Sequence, residues 1–164
     1  MNDLETRLAN LEARFAVQEL MFRYAECVDR ALFDELGELF RHGSLGAEGA
    51  EPMRGSARIR NFYAATNKVH SDGTLRTRHL ASNVIVEVDS AVGRASARSY
   101  FVVFQATQTV PLQPIVAGRY HDTFHVVDGL WCFADRLIFV DQIGKMSDHL
   151  SFDLARDPIP NVTG

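Results

Sequence analysis

At His79 the hydrophobic period of this chain changes from about 3.6 residues to about 2, and that switch decides what it can fold into. Before it, Val17, Leu20, Met21, Tyr24, Cys27 and Val28 recur at the three-and-four spacing of an amphipathic helix. Leu4, Leu8, Leu11 and Phe15 carry helical periodicity back to the start, either as a separate first helix or as an extension of the core helix, with Asn2 or Asp3 as its cap. That stripe has little of its own chain to cover it and suits a partner subunit. Phe33, Leu36, Leu39 and Phe40 mark a short further helix ended by the Gly43 and Gly46 region. Residues 44–55 read as a loose hairpin or edge structure, and Ser56 caps another helix with Ile59, Phe62, Tyr63 and Val69 inward.

After the switch the pattern stays strand-like almost to Ile143, in segments 80–88, 95–108, 115–127 and 130–140. Asp128-Gly129 is the two-residue turn of a tight hairpin between the last two. Strict alternation in the first segment sets Val84, Val86 and Val88 on one face and His79, Ala81 and Asn83 on the other. Helices followed by a meander of long antiparallel strands predict an α+β fold with the helices packed on one face of a sheet. Residues 145–164 are irregular, and Leu150, Phe152 and Leu154 are placed to cover an opening.

A chain of 164 residues suits one domain that buries its own core. A net charge of −4 offers no footprint for nucleic acid. No signal peptide or long apolar run opens the chain, which gives no reason to expect a membrane. Cys27 and Cys132 fall in elements expected to be buried and make no Cys-x-x-Cys, so a reducing cytoplasm is the simplest compartment. His42, His70, His79, His121, His125 and His149 form no metal-binding spacing. His121 and His125 share a strand face but stand about 13 Å apart, too far for one ion.

Several polar residues sit where apolar ones are expected. Tyr24 lies in the buried stripe of the core helix, and Asp29 follows five residues later, about 140° round the helix, where only a curling partner would meet it. Arg136 interrupts the file Leu130, Cys132, Ala134, Ile138 and Val140. A buried arginine demands a carboxylate, carbonyls or a ligand anion nearby, so it is read either as half of a structural ion pair, with Asp122 or Asp29, or as a functional contact. His79 opens the first long strand. A carboxylate on one of its ring nitrogens would fix the tautomer and make the other nitrogen a general base; without one it is a core or rim histidine. Arg119, His121, Thr123 and His125 share a face read as solvated or interfacial, while Tyr120, Asp122 and Phe124 share the other.

The stretch Ala16 to Asp29, the run Arg78-His79-Leu80-Ala81-Ser82-Asn83, and Gly118 to Phe124 with Asp128-Gly129-Leu130-Trp131 and Arg136 together resemble the SnoaL-like branch of the nuclear-transport-factor-2-like superfamily. This is the cone-shaped α+β fold of scytalone dehydratase, hexachlorocyclohexane dehydrochlorinase and the bile acid 7α-dehydratases. The resemblance covers residues 5–143. It implies a single domain with N-terminal helices on a strongly curved, mostly antiparallel sheet, assembled as a dimer or trimer. It further implies an aspartate–histidine dyad of Asp29 and His79, with Tyr24 at a tyrosine position of the bile acid enzymes and Arg136 near a leaving group or anionic intermediate. The second histidine and further tyrosine of scytalone dehydratase have no secure counterpart. The activity implied is a cofactor-independent dehydratase or isomerase acting on a small, apolar, cyclic or aromatic compound. Phe15, Phe22, Phe62, Phe101, Phe104, Trp131 and Phe133 would supply its aromatic interior. The same superfamily holds non-catalytic members, such as the small subunits of ring-hydroxylating dioxygenases and ligand-binding proteins, which keep the fold without using the dyad.

Overall fold

The computed structural model describes residues 3–160 and 162. Helix α1 runs unbroken from Asp3 to Asp29, so the two candidate helices are one; Asn2 lies outside the described residues. It carries two apolar stripes on different faces. The step from Phe15 to Val17 turns about 200° round the axis. Ala13, Val17, Met21, Tyr24, Cys27 and Val28 are therefore buried, while Leu4, Leu8, Leu11, Phe15 and Phe22 stay exposed. Phe15 and Phe22 thus do not belong to the interior. Helix α2 spans Phe33–Leu39, and strands β1 (Ser44–Ala47) and β2 (Met53–Arg54) form the short edge hairpin. Helix α3 spans Ser56–Thr66. Its N-cap is Gly55, at φ 79°, and the Ser56 side chain makes no cap hydrogen bond; Val69 lies past the helix end and is exposed.

Four long strands follow: β3 (Thr77–Asp89), β4 (Arg94–Gln105), β5 (Gln113–Val127) and β6 (Leu130–Ile143). With the short pair they make a six-stranded sheet in the order β2-β1-β6-β5-β4-β3, antiparallel except where β1 lies parallel to β6. The sheet is open, and the helices fill its concave side.

Strands this long curve only by breaking their pleat. Pairing shifts once between β3 and β4, once between β4 and β5, and twice between β5 and β6. Each shift inserts one unpaired residue, bends the strand and reverses which face the following side chains occupy. In β3 the shift falls between Ser82 and Ile85, with Asn83 at φ 51°. Val84, Val86 and Val88 consequently turn to the same inner face as Thr77, His79 and Ala81, against the simple alternation expected from the sequence. In β6 the extra residue is Ala134. Phe133 faces inward together with Arg136, and Leu130 points out at 70% exposure rather than sharing the arginine's face. Cys132 is only partly buried for the same reason.

Arg136 is among the most deeply buried side chains of the core. Its Nε and Nη2 donate to the two carboxylate oxygens of Asp122 at 2.8 and 2.7 Å, across a register in which Asp122 faces Arg136 directly. Both side chains are fully enclosed. The guanidinium carbon lies 4.2 Å from the ring centres of both Tyr24 and Tyr120 and 4.8 Å from that of Phe133, so three π faces receive the rest of the charge. Nη1 has no acceptor among the described residues. Of the two carboxylates open to it from sequence, Arg136 takes Asp122.

Two stability predictions follow from this packing. A Cβ at Gly118 would stand 2.0 Å from the Phe139 carbonyl oxygen and 2.9 Å from the Phe101 ring. Gly118→Ala should therefore lower unfolding free energy by about 3 kcal/mol or more in a denaturant titration. Arg136→Met leaves the Asp122 carboxylate buried and unpaired and should cost about 3–5 kcal/mol, whereas Arg136→Met with Asp122→Leu should recover most of the loss.

Candidate active site

The concave face of the sheet, α3, the β1–β2 connection and the segment after β6 enclose a cavity of about 900 Å³. That volume suits a small organic molecule of one or a few rings. The wall is mostly apolar, with Phe62, Phe101, Val116, Ile138 and Met146 among its members. Its polar members include His79, Tyr24, Tyr63, Tyr120 and His149, and Glu48, Glu51, Arg58, Thr66, Asn67 and Asp157 also belong to the lining.

Asp29 closes α1, and β3 begins across its end. The curling partner the sequence required is the first turn of that strand. Asp29 Oδ1 accepts from the Thr77 hydroxyl at 2.6 Å and bonds His79 Nδ1 at 2.6 Å, while Oδ2 accepts from the His79 backbone N–H at 2.9 Å. The Asp29 carbonyl also accepts from the Leu75 N–H at 3.1 Å. Burial pushes the Asp29 carboxyl up, but the hydrogen bonds from His79 and Thr77 outweigh it and leave the pKa below its ordinary value. An ionised carboxylate only accepts, so Nδ1 carries a proton, and in the neutral imidazole Nε2 is then the nitrogen with the lone pair. Asp29 itself stands behind His79 and does not line the cavity.

A similar arrangement recurs at the phenols. The Tyr24 and Tyr63 hydroxyls lie 2.7 Å apart and buried. Tyr120 stacks on Phe101 at 4.4 Å and meets Tyr24 edge to face at 5.9 Å. Burial raises the pKa of Tyr24, partly offset by the Arg136 charge and the Tyr63 hydrogen bond, and burial raises Tyr63 and Tyr120 well above the ordinary value. All three are neutral hydrogen-bond donors at physiological pH. Arg136 lies behind Tyr24 and Tyr120, off the cavity surface. Of the four residues singled out from sequence, His79 and Tyr24 reach the cavity, and Asp29 and Arg136 support them from behind.

Sequence reasoning undervalued Tyr63 and Tyr120, which it placed inward without a role, and passed over His149. The segment carrying His149 is pinned to the rest of the fold. Lys68 N donates to the His149 carbonyl at 2.8 Å, Ser151 N to the Thr66 carbonyl at 2.9 Å, and Gln105 Nε2 to the Leu75 and Asp148 carbonyls at 2.9 and 3.2 Å. His149 is 6% exposed, and its Nδ1 has no partner among the described residues. Burial, reinforced by the neighbouring His79, lowers its pKa to about 3, so it is a neutral imidazole. The one signal in the sequence is a histidine among Met146, Leu150, Phe152 and Leu154, all of which line the cavity. The expected outward face of β5 is occupied by Arg119, bonded twice to Asp141, and by exposed His121 and Thr123. Among the described residues no helix is long and apolar enough to cross a membrane.

Comparison with known structures places this architecture. A candidate scytalone dehydratase of Novosphingobium aromaticivorans superposes with a TM-score of 0.64 at 23% identity, over 82% of this chain and 87% of that one. LinA superposes with a TM-score of 0.67 at 18% identity, over 85% and 92% of the two chains. The β subunit of a candidate aromatic-ring-hydroxylating dioxygenase, also from N. aromaticivorans, gives 0.63 at 19% identity, over 81% and 92%. At these identities the likeness is one of fold. No curated protein matches the sequence. The SnoaL-like domain matches residues 9–136, which hold the core helix, the Asp29–His79 contact and the buried arginine, and the chain belongs to that family.

Proposed function

We propose that the cavity is an acid–base site that catalyses dehydration of a small, largely apolar cyclic compound, with double-bond isomerisation as the closely related alternative. The observation that carries this reading is the Asp29–His79 contact, made by a histidine on the wall of a mostly apolar cavity. In the dehydration, His79 Nε2 takes the proton from a carbon adjacent to an activating carbonyl, and Asp29 stabilises the imidazolium. Tyr24 donates to the carbonyl oxygen as negative charge develops there. Arg136 stabilises that charge from behind through the phenol, without touching the ligand. The enolate collapses to the conjugated C=C as the C–O bond breaks, and the hydroxyl, given the proton by the imidazolium, leaves as water. In the isomerisation the same proton is returned to another carbon of the ligand. The chemistry requires no metal or organic cofactor. His149 supplies a neutral ring nitrogen to a polar group of the ligand. Similarity to a dioxygenase β subunit supports a second reading, a non-catalytic partner of a larger oxygenase subunit.

A screen of cyclic hydroxy-ketones and enones tests the proposal. On any substrate found, His79→Ala and Asp29→Asn should each lower turnover by about 10²-fold or more with circular dichroism unchanged. Tyr24→Phe should cost less, about tenfold. A near-wild-type rate in either of the first two variants would sink the dyad, and stable copurification with a large oxygenase subunit would favour the second reading.

Neutral burial of His149 also sets a pH dependence. The unfolded chain binds its proton at the ordinary value of 6.5 and the folded chain only at about 3, so stability falls as pH drops through that window. His149→Leu should flatten the acid limb of the unfolding free energy between those two values, measured against the wild type by denaturant titration.

A further inference from the structure

The outward stripe of α1 has a regularity that burial in its own chain does not use. Leu4, Leu8, Leu11, Phe15, Gln18 and Phe22 follow one another at alternating steps of four and three, the a and d positions of a heptad. They fall within an arc of about 80° on the helix. The five apolar members are 52–70% exposed. The opposite side of the same helix, from Ala13 to Val28, is packed into the core, so the stripe is presented on a helix already held in place. From Ala13 onward no ordering of the helix opposes association, while Leu4, Leu8 and Leu11 precede the part that the core holds.

We propose that this stripe is the seam of a parallel two-helix contact with a second copy of this chain. Charge identifies the occupant and its direction. With Leu8 and Leu11 as a and d, the flanking g positions are Arg7, Arg14 and the buried Met21, and the flanking e positions are Glu5, Glu12, Glu19 and Glu26. In a parallel pair each g residue meets the e residue five positions further along its partner, which sets Arg7 against Glu12 and Arg14 against Glu19, twice over by symmetry. In an antiparallel pair e would face e and g would face g, glutamate against glutamate and arginine against arginine. Gln18 points the same way. A polar residue within a seam is tolerated where it meets its own copy and the two amides bond each other, as the parallel alignment provides. Arg7 lies 3.8 Å from Asp3 on its own helix, so Arg14 and Glu19 are the cleaner pair to test.

Sedimentation of the full chain across a concentration series should show a reversible dimer that Phe15→Glu converts to monomer. Arg14→Glu should weaken dimerisation by about tenfold, and Arg14→Glu with Glu19→Arg should restore it, because the swapped charges meet again only in the parallel pair. Leu11→Cys should form an interchain disulfide under mild oxidation far faster than the wild type, whose Cys27 is buried and whose Cys132 lies on the sheet. The positions altered are exposed, and unchanged circular dichroism will show that each variant folds. An association state indifferent to Phe15→Glu, or a charge swap that restores nothing, would overturn the proposal. Dimerisation that needs Phe15 without the Leu11→Cys disulfide would replace the parallel pair with an antiparallel one.

Discussion

A guanidinium with no route to water governs how the concave side of this protein is built. Taking Arg136 out of solvent costs several kcal/mol unless its charge is met from every side. Asp122, on the neighbouring strand, meets one edge with two hydrogen bonds, and the faces of Tyr24, Tyr120 and Phe133 meet the rest. Those rings come from α1, β5 and β6, so satisfying one charge fastens the helix layer to the sheet. Two of them, Tyr24 and Tyr120, also form part of the cavity wall. The placement of phenols around the cavity is thus partly a consequence of core electrostatics.

The class of fold was legible because periodicity is a property of the chain. Helical spacing before His79 and alternation after it separate two layers, and Asp128-Gly129 marks the last hairpin. Facing was legible only up to the first bulge. A bulge leaves no periodic mark, since the residue that reverses the strand looks like any other; Asn83 and Ala134 are the examples, and only the positive φ of Asn83 fits a residue type that tolerates it. Past each bulge an alternation argument assigns side chains to the wrong side, as happened with Val84 to Val88 and with Leu130 and Cys132.

The candidate site was legible in proportion to how local its parts are. Asp29 and His79 were suggested by resemblance, while their contact depends on fifty residues of intervening chain closing on the end of α1. Arg136 announced itself as a charge among apolar neighbours, and its partner was one of two carboxylates in reach. His149 was marked only by its apolar neighbours Met146, Leu150, Phe152 and Leu154, and it becomes a cavity residue through backbone bonds to Lys68 and Met146. Phe15 and Phe22 show the converse error, in which helical spacing was taken for interior position although the two rings face away from the core.

The cavity wall comes from two parts of the fold. His79 and Tyr24, with Asp29 behind them, belong to β3 and α1, whereas the β1–β2 connection and residues 146–160 contribute surfaces such as Met146, Phe152 and Leu154 from outside the helices and long strands. Substitutions in those peripheral stretches would reshape the space open to a guest molecule while the Asp29–His79 contact stayed as it is.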